Sequence, residues 1–281
     1  MVKRRSPAAA IALVAVLLLG LTAVLVFLVF GFRFKSSEKS KFIGKSENGQ
    51  PIEGTINYPD GSSATLDFYN HTITYSNGDV YVGDIVGLER NGNGKMTYAA
   101  TGDIYEGDFK NDELTGKGVF TYANGDQYEG EMQDSKKNGH GKFTFVNGST
   151  YEGGFENDAK SGYGVFVWAD GARYEGYFKD DVKNGYGSMM FVGGDKYEGN
   201  FENDMRSGTG LYTWKDGMSY SGTFRNNLMD TRLVDADGNF ITDENGNYKH
   251  GEKAYYTTVT ETGKRTYTGY FQEGKIVPVN Q

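Results

Sequence analysis

Residues 151–173 read YEGGFENDAKSGYGVFVWADGAR, and the same sentence recurs on either side. Aligned on its opening Tyr-x-Gly, it starts at Tyr81, Tyr105, Tyr128, Tyr151, Tyr174, Tyr197 and Tyr220, a step of 24 followed by five of 23. Self-similarity at so fixed a period marks a repeat architecture, in which each unit buries its apolar face only against its neighbours. Within a unit, two short aromatic and β-branched runs are joined by Asn-Gly or Asp-Gly, the strongest local signal for a β-hairpin. These turns fall at Asn124-Gly125, Asn147-Gly148, Asp170-Gly171 and Asp216-Gly217, with Gly193-Gly194 in one unit and Asn77-Gly78 ahead of the regular array.

Loop length then fixes register. A two-residue loop at Asn147-Gly148 sets Tyr151 against Thr144 and throws Phe143 to the other side. A three-residue loop of Val146, Asn147 and Gly148, with the glycine left-handed, instead pairs Phe143 with Tyr151 and Gly141 with Gly153. The second choice places aromatics and glycines on one face in every unit. It pairs Phe120 with Tyr128, Phe166 with Tyr174, Met189 with Tyr197 and Tyr212 with Tyr220, and it brings Gly118 to Gly130 and Gly164 to Gly176. Glycine pairs beside aromatic residues let a ring lie on bare backbone. The opposite face, with pairs such as Lys142 and Glu152, reads as solvated, and so do the acidic connections around 156–160.

Tyr-Glu-Gly-x-Phe, then Gly-x-Gly-x-Phe, then Asp/Asn-Gly resembles the MORN repeat (membrane occupation and recognition nexus). The resemblance covers Tyr81 to about Phe224 and implies an all-β fold, an elongated single-sheet array of β-hairpins; the apolar run near the N-terminus is read separately as one transmembrane α-helix preceding it. It implies a scaffold or binding surface and leaves activity to whatever accompanies the array, because such repeats occur beside kinase and methyltransferase domains and in membrane-tethering junctophilins. Where the family most often has Trp, this chain has Phe109, Met132, Phe155, Phe178 and Phe201.

The N-terminus has a different character. Residues 1–7 form a basic tail, and 8–32 are an uncharged run long enough to cross a hydrocarbon layer of roughly 30 Å. Signal-peptide cores are shorter, about 7–15 residues, so the run is read as an uncleaved single-pass anchor. A short basic N-terminal tail places the N-terminus in the cytoplasm and the repeat body outside it, although Arg33, Lys35, Lys39, Lys41 and Lys45 on the far side nearly balance the comparison. Residues 33–50 read as a polar linker, 51–80 as degenerate N-terminal repeats, 81–224 as regular repeats, and 225–281 as an insertion with a C-terminal cap repeat.

Charge and composition exclude several functions. The 281 residues carry a formal charge of −8, with no cysteine, so no disulfide or thiol chemistry arises. Beyond Lys45, 21 basic residues face 36 acidic ones, a net −15 that disfavours binding to nucleic acid. Asp235, Asp237 and Asn239 alternate as calcium ligands do, yet the sixth and twelfth positions of such a loop would be Phe240 and Gly246 rather than Gly and Glu. These are read first as turn residues. His71, His140 and His250 are scattered, and no nucleophile elbow, P-loop or His-x-x-x-His occurs, so neither an enzyme nor a cofactor is expected. Asn70-His71-Thr72 and Asn147-Gly148-Ser149 match the glycosylation sequon.

Three functions remain: a membrane-anchored scaffold that binds a protein or glycan, a lipid-binding tether, and an enzyme with its site in the 225–265 insertion. The candidate binding face is Phe120, Tyr128, Phe143, Tyr151, Phe166, Tyr174, Tyr212 and Tyr220, which form either an open aromatic groove or the core of the array.

Overall fold

The computed structural model describes residues 40–277. The basic tail, the anchor at 8–32 and residues 33–39 of the linker lie outside the described residues. Among the described residues no helix is long and apolar enough to cross a membrane.

The described chain is a 21-stranded antiparallel sheet in which strands pair with their neighbours in sequence, so it runs as one meander. The register follows the three-residue loop. Phe143 lies opposite Tyr151 and Gly141 opposite Gly153, and Phe166 with Tyr174 and Gly164 with Gly176 repeat the arrangement. Phe145 N–H donates to Ser149 at 2.9 Å, closing the loop, and Gly148 takes φ 88°, a conformation costly for other residues. The first regular unit is one residue longer because its loop is. Tyr98 N–H donates to Asp103, leaving four residues between them.

The opposite edge differs from the sequence reading. The acidic connections are not open loops but two-residue hairpin turns, since Glu156 pairs with Ala159. Both central residues are left-handed, Asn157 at φ 48° and Asp158 at 75°, as a type I′ turn requires. Asn111-Asp112, Asp180-Asp181, Asn203-Asp204 and Asn226-Asn227 repeat the geometry. Asn and Asp are the residues other than glycine that best tolerate it, and this accounts for their recurrence.

In the regular units strands alternate between seven and nine residues, as in Thr150–Glu156 and Ala159–Val167. The surplus is a bulge. Register shifts between Gly153 and Phe155, opposite Gly162 at φ 73°. The two glycines of Gly-x-Gly therefore have separate jobs: the first makes the bulge, and the second lies under a ring.

Residues 40–50 are not linker. Strand Lys41–Glu47 pairs with Gln50–Asn57 through an Asn48-Gly49 turn. Gly44 lies opposite Gly54, and a Cβ on either would meet the Phe42 ring at 2.8 Å. Phe42-x-Gly44 is thus a further Tyr-x-Gly with Phe in place of Tyr. At the other end, residues 230–253 interrupt a strand, with Leu228–Met229 before the insertion and Ala254–Thr260 after it pairing with the same neighbour. Inside the insertion, Leu233 N–H donates to Lys249, Ile241 to Leu233 and Lys249 to Ile241, a closed ring of backbone bonds at eight-residue intervals. Arg232 packs at its centre, its guanidinium 3.7 Å from the Phe240 ring centroid.

Candidate functional site: the two faces of the sheet

On the aromatic face each unit's tyrosine lies flat on the glycine pair. A Cβ at Gly164 would meet the Tyr151 ring at 2.5–2.7 Å, and Gly187 stands in the same relation to Tyr174. The ring is boxed edge-on by two phenylalanines, Phe155 at 5.2 Å and Phe178 of the following unit at 5.1 Å for Tyr151. Its hydroxyl donates to a carbonyl three residues on, Tyr151 to Gly154 at 2.9 Å and Tyr174 to Tyr177 at 3.0 Å. Such a site buries the ring in a single-layer sheet without stranding its polar end. Burial pushes the Tyr151 and Tyr197 phenols up to about 12, and those of Tyr128, Tyr174 and Tyr220 higher still.

A row of cations roofs these rings. Arg90, Lys137, Lys160, Lys183 and Arg206 occupy one position of successive units, and Leu114 takes it in another. Lys183 Nζ sits 5.6 Å from the Trp168 centroid and 5.8 Å from those of Tyr174 and Phe201. Each cation is tied to the type I′ turn of the next unit. Lys160 Nζ meets Asp181 Oδ1 at 2.7 Å, and the same oxygen accepts the Lys160 backbone N–H at 3.0 Å. Arg90 meets Asp112 at 3.1 Å with both side chains nearly buried. Burial pushes the Asp181 carboxyl up, but the hydrogen bonds from Lys160 outweigh it and hold the group below its ordinary value. Burial likewise lowers Lys137. The acidic turns are therefore stitches between units rather than a free acidic surface.

Of the eight predicted face residues, Tyr128, Tyr151, Tyr174 and Tyr220 are fully buried and Phe120 nearly so. They are core, because the glycine floor that was expected to lie bare is filled by the tyrosine rings themselves. Phe143, Phe166 and Tyr212 are half-buried and join a second ladder of rings. Phe143–Phe145, Phe145–Phe166 and Phe166–Trp168 have centroids 4.6, 5.7 and 4.5 Å apart. This outer ladder is the partly exposed layer of the aromatic face.

The insertion holds its polar groups in its own architecture. Asp235 accepts the backbone N–H of Asp237 at 3.0 Å and of Asn239 at 2.9 Å, and the bonds from Asn239 first of all hold its carboxyl below the usual range. The calcium-like spacing thus closes a turn. Among the described residues no group of three or more His, Asp or Glu side chains is arranged to hold a metal ion. Asp230 and Arg232 form a buried pair at 2.6 Å, and His250 Nδ1 is 2.9 Å from Thr231 Oγ1.

The solvated face carries the features that sequence reasoning missed. Lys142 lies opposite Glu152 as expected, but Tyr163, Tyr177, Tyr186 and Tyr255 also stand on this face, 50–59% exposed. The signal was available in the x of Gly-x-Gly, which is Asn93, Lys117 and His140 in the earlier units and Tyr163 and Tyr186 in later ones. Between the side-chain rows lie two separate shallow stretches of trough floored by glycine backbone. One stretch of about 600 Å³ is lined by Glu106, Glu129, Lys142 and Glu152, and another of about 320 Å³ lies between Tyr186 and Tyr255.

The profile of the MORN repeat family matches residues 105–127, 128–150, 151–173, 174–196, 197–219 and 220–230, so this stretch consists of MORN repeats. The hairpin opened by Tyr81 lies outside the match but has the same ring-on-glycine packing. No curated protein matches the chain. Among solved structures it is similar to the TCP10 domain of Danio rerio CPAP in complex with a peptide of Danio rerio STIL, at 16% identity over 73% of this chain and 98% of that one, with a TM-score of 0.36. The TCP domain of Drosophila melanogaster SAS-4, with a proline-rich motif of Ana2, gives 12% identity over 78% and 90%, with a TM-score of 0.31.

Proposed function

We propose that this MORN-repeat chain is a membrane-anchored, non-catalytic scaffold. Residues 8–32 hold it in the membrane, the N-terminus is cytoplasmic, and the sheet is displayed on the extracytoplasmic side to bind an extended protein segment. The observation behind this reading is that the acids and bases of the aromatic face and the insertion are engaged in holding units and turns together, as in Lys160–Asp181 and Asp230–Arg232, instead of converging on an open cavity. What the array offers is surface. Its outer ladder of Phe143, Phe145, Phe166 and Trp168 supplies the aromatic anchors that dominate protein interfaces, with the cation row beside them.

Two measurements test the reading. Protease added to intact cells is expected to remove the repeat body; a body protected until the membrane is permeabilised reverses the orientation. Cross-linking in cells should give a discrete partner that is lost in the Phe143→Ala/Phe166→Ala/Tyr212→Ala variant and kept in Tyr69→Ala, which removes an exposed ring elsewhere. A partner retained by the triple variant would put the contact on another surface.

A further inference from the structure

The trough on the solvated face is a second binding site, independent of the aromatic ladder, and we infer that it takes an uncharged oligosaccharide. Its rings stand at the two ends of one segment. Tyr186 is 59% and Tyr255 55% exposed, with Gly210 and Gly222 on the floor between them and Glu198, Thr209 and Ser221 along the sides. Rings as exposed as those of Tyr186 and Tyr255 add little to the core, whereas Tyr163 further along donates to Glu175 at 2.7 Å and meets Tyr177 edge-on. The tyrosines that do stabilise the core, such as Tyr174 and Tyr197, are on the other face and fully buried.

Shape, charge and hydrogen-bonding capacity select the ligand. Tyr186 and Tyr255 are four strand spacings apart, about 19 Å, which suits a chain of several sugars better than a single one. Tyr163 and Tyr177 continue the line toward the N-terminus, paired in register with ring centroids 5.6 Å apart. A pyranose presents an apolar C–H face to a ring and hydroxyls to its sides, and the trough supplies both surfaces. Its acids are matched by bases, Glu198 by Lys196 at 2.8 Å and Glu175 by Arg173 at 2.5 Å, so a basic peptide gains nothing from them, and the single lining cation, Lys253, lies against the Tyr270 ring at 5.8 Å and is too little charge to hold an anionic polymer. An extended peptide that adds to a sheet does so at an edge through free main-chain groups, whereas the strands beneath this trough are paired on both sides.

The test uses the full-length chain in a detergent without a sugar headgroup, titrated calorimetrically with cellohexaose, maltohexaose and chitohexaose. Binding of at least one is expected, weakened about tenfold by Tyr186→Ala and again by Tyr255→Ala, both of which should keep the wild-type melting temperature because their rings are exposed. Tyr69→Ala and the Phe143/Phe166/Tyr212 triple variant should bind as the wild type does, so this site and the scaffold reading fail separately. The inference is overturned if no hexasaccharide binds at millimolar concentration, if the Tyr186→Ala/Tyr255→Ala double variant binds undiminished, or if hexalysine displaces the sugar.

Discussion

Replacing Gly187 by alanine tests whether the tyrosine rings, rather than the strands alone, hold the array together. The new Cβ would lie 2.5 Å from both Cε2 and the hydroxyl oxygen of Tyr174, with Cζ at 2.7 Å. Contacts this close cannot persist, and the ring has no local escape. Phe178 and Phe201 press on it edge-on at 5.1 Å, and its hydroxyl is bonded to Tyr177 O. Expelling it forfeits the burial of a large aromatic, about 3–5 kcal/mol by analogy with Phe→Ala in cores. The same replacement at Gly193 meets no atom within 4 Å and needs no left-handed φ, so it should fall within about ±0.5 kcal/mol or stabilise slightly. Urea unfolding of residues 40–281 is the assay, and the fragment must start no later than 40 because a strand begins at Lys41. The decisive comparison is a double-mutant cycle with Tyr174→Leu: with the ring gone Gly187→Ala should cost little, giving a coupling above about 2 kcal/mol. A Gly187→Ala loss under about 1 kcal/mol at unchanged m-value, or additive effects in the cycle, would refute the ring-on-glycine account.

The cation row gives an asymmetric expectation. Asp112→Ala leaves Arg90 buried and unpaired and should cost about 3–5 kcal/mol, whereas Arg90→Leu with Asp112→Ser should be nearly neutral; equal losses in the two unfolding curves would contradict it. Alkali should unfold the array. The buried phenols have folded-state values raised above their ordinary 10, so their stabilisation is complete below pH 10 and is lost as pH rises toward about 12, where Tyr151 and Tyr197 titrate. Circular dichroism against pH checks this, and a flat profile to pH 12 would exclude it. Residues 40–281, strongly acidic overall, should not sediment with anionic vesicles in the absence of divalent cations; salt-sensitive binding would favour a lipid tether.

What the sequence disclosed depended on whether the physical constraint was local. The pairing of Phe143 with Tyr151 was legible because only one loop length puts rings and glycines on one face throughout the array. The strand at Lys41 was not, although Asn48-Gly49 is a hairpin signal of the same kind, because Phe42 stands where the regular units have Tyr. The type I′ turns hid among acidic residues whose abundance suggests solvation, and their left-handed geometry shows only in the backbone. Nor could spacing reveal that Lys160 lies over Tyr151 and reaches Asp181, since the two residues are 21 positions apart and meet only when consecutive hairpins stack.

The repeats also act as natural variants of one another, and their exceptions separate structure from recognition. Where Lys or Arg would stand, one unit has Leu114, and there the partner position is Ser135, whose hydroxyl accepts the Leu114 backbone N–H at 3.1 Å just as the aspartates accept from the cation positions. The two positions change together, so the backbone stitch is the invariant requirement and the ion pair an addition to it. Arg206 makes the same point from the other side, since its partner is the neutral Asn227, reached through the side-chain and backbone oxygens at 2.8 Å. At the x of Gly-x-Gly the facing residue is matched in some units and not in others. Lys117 faces Glu131, Tyr163 faces Tyr177 and Thr209 faces Thr223, whereas Tyr186 faces Asn200, while the rings and glycines behind them stay fixed. Positions that vary with compensation belong to the scaffold, and those that vary without it are free to be shaped by what the sheet binds. On that criterion Tyr186, and not the buried aromatic column or the paired Tyr163 and Tyr177, is the position of the solvated face left free to vary.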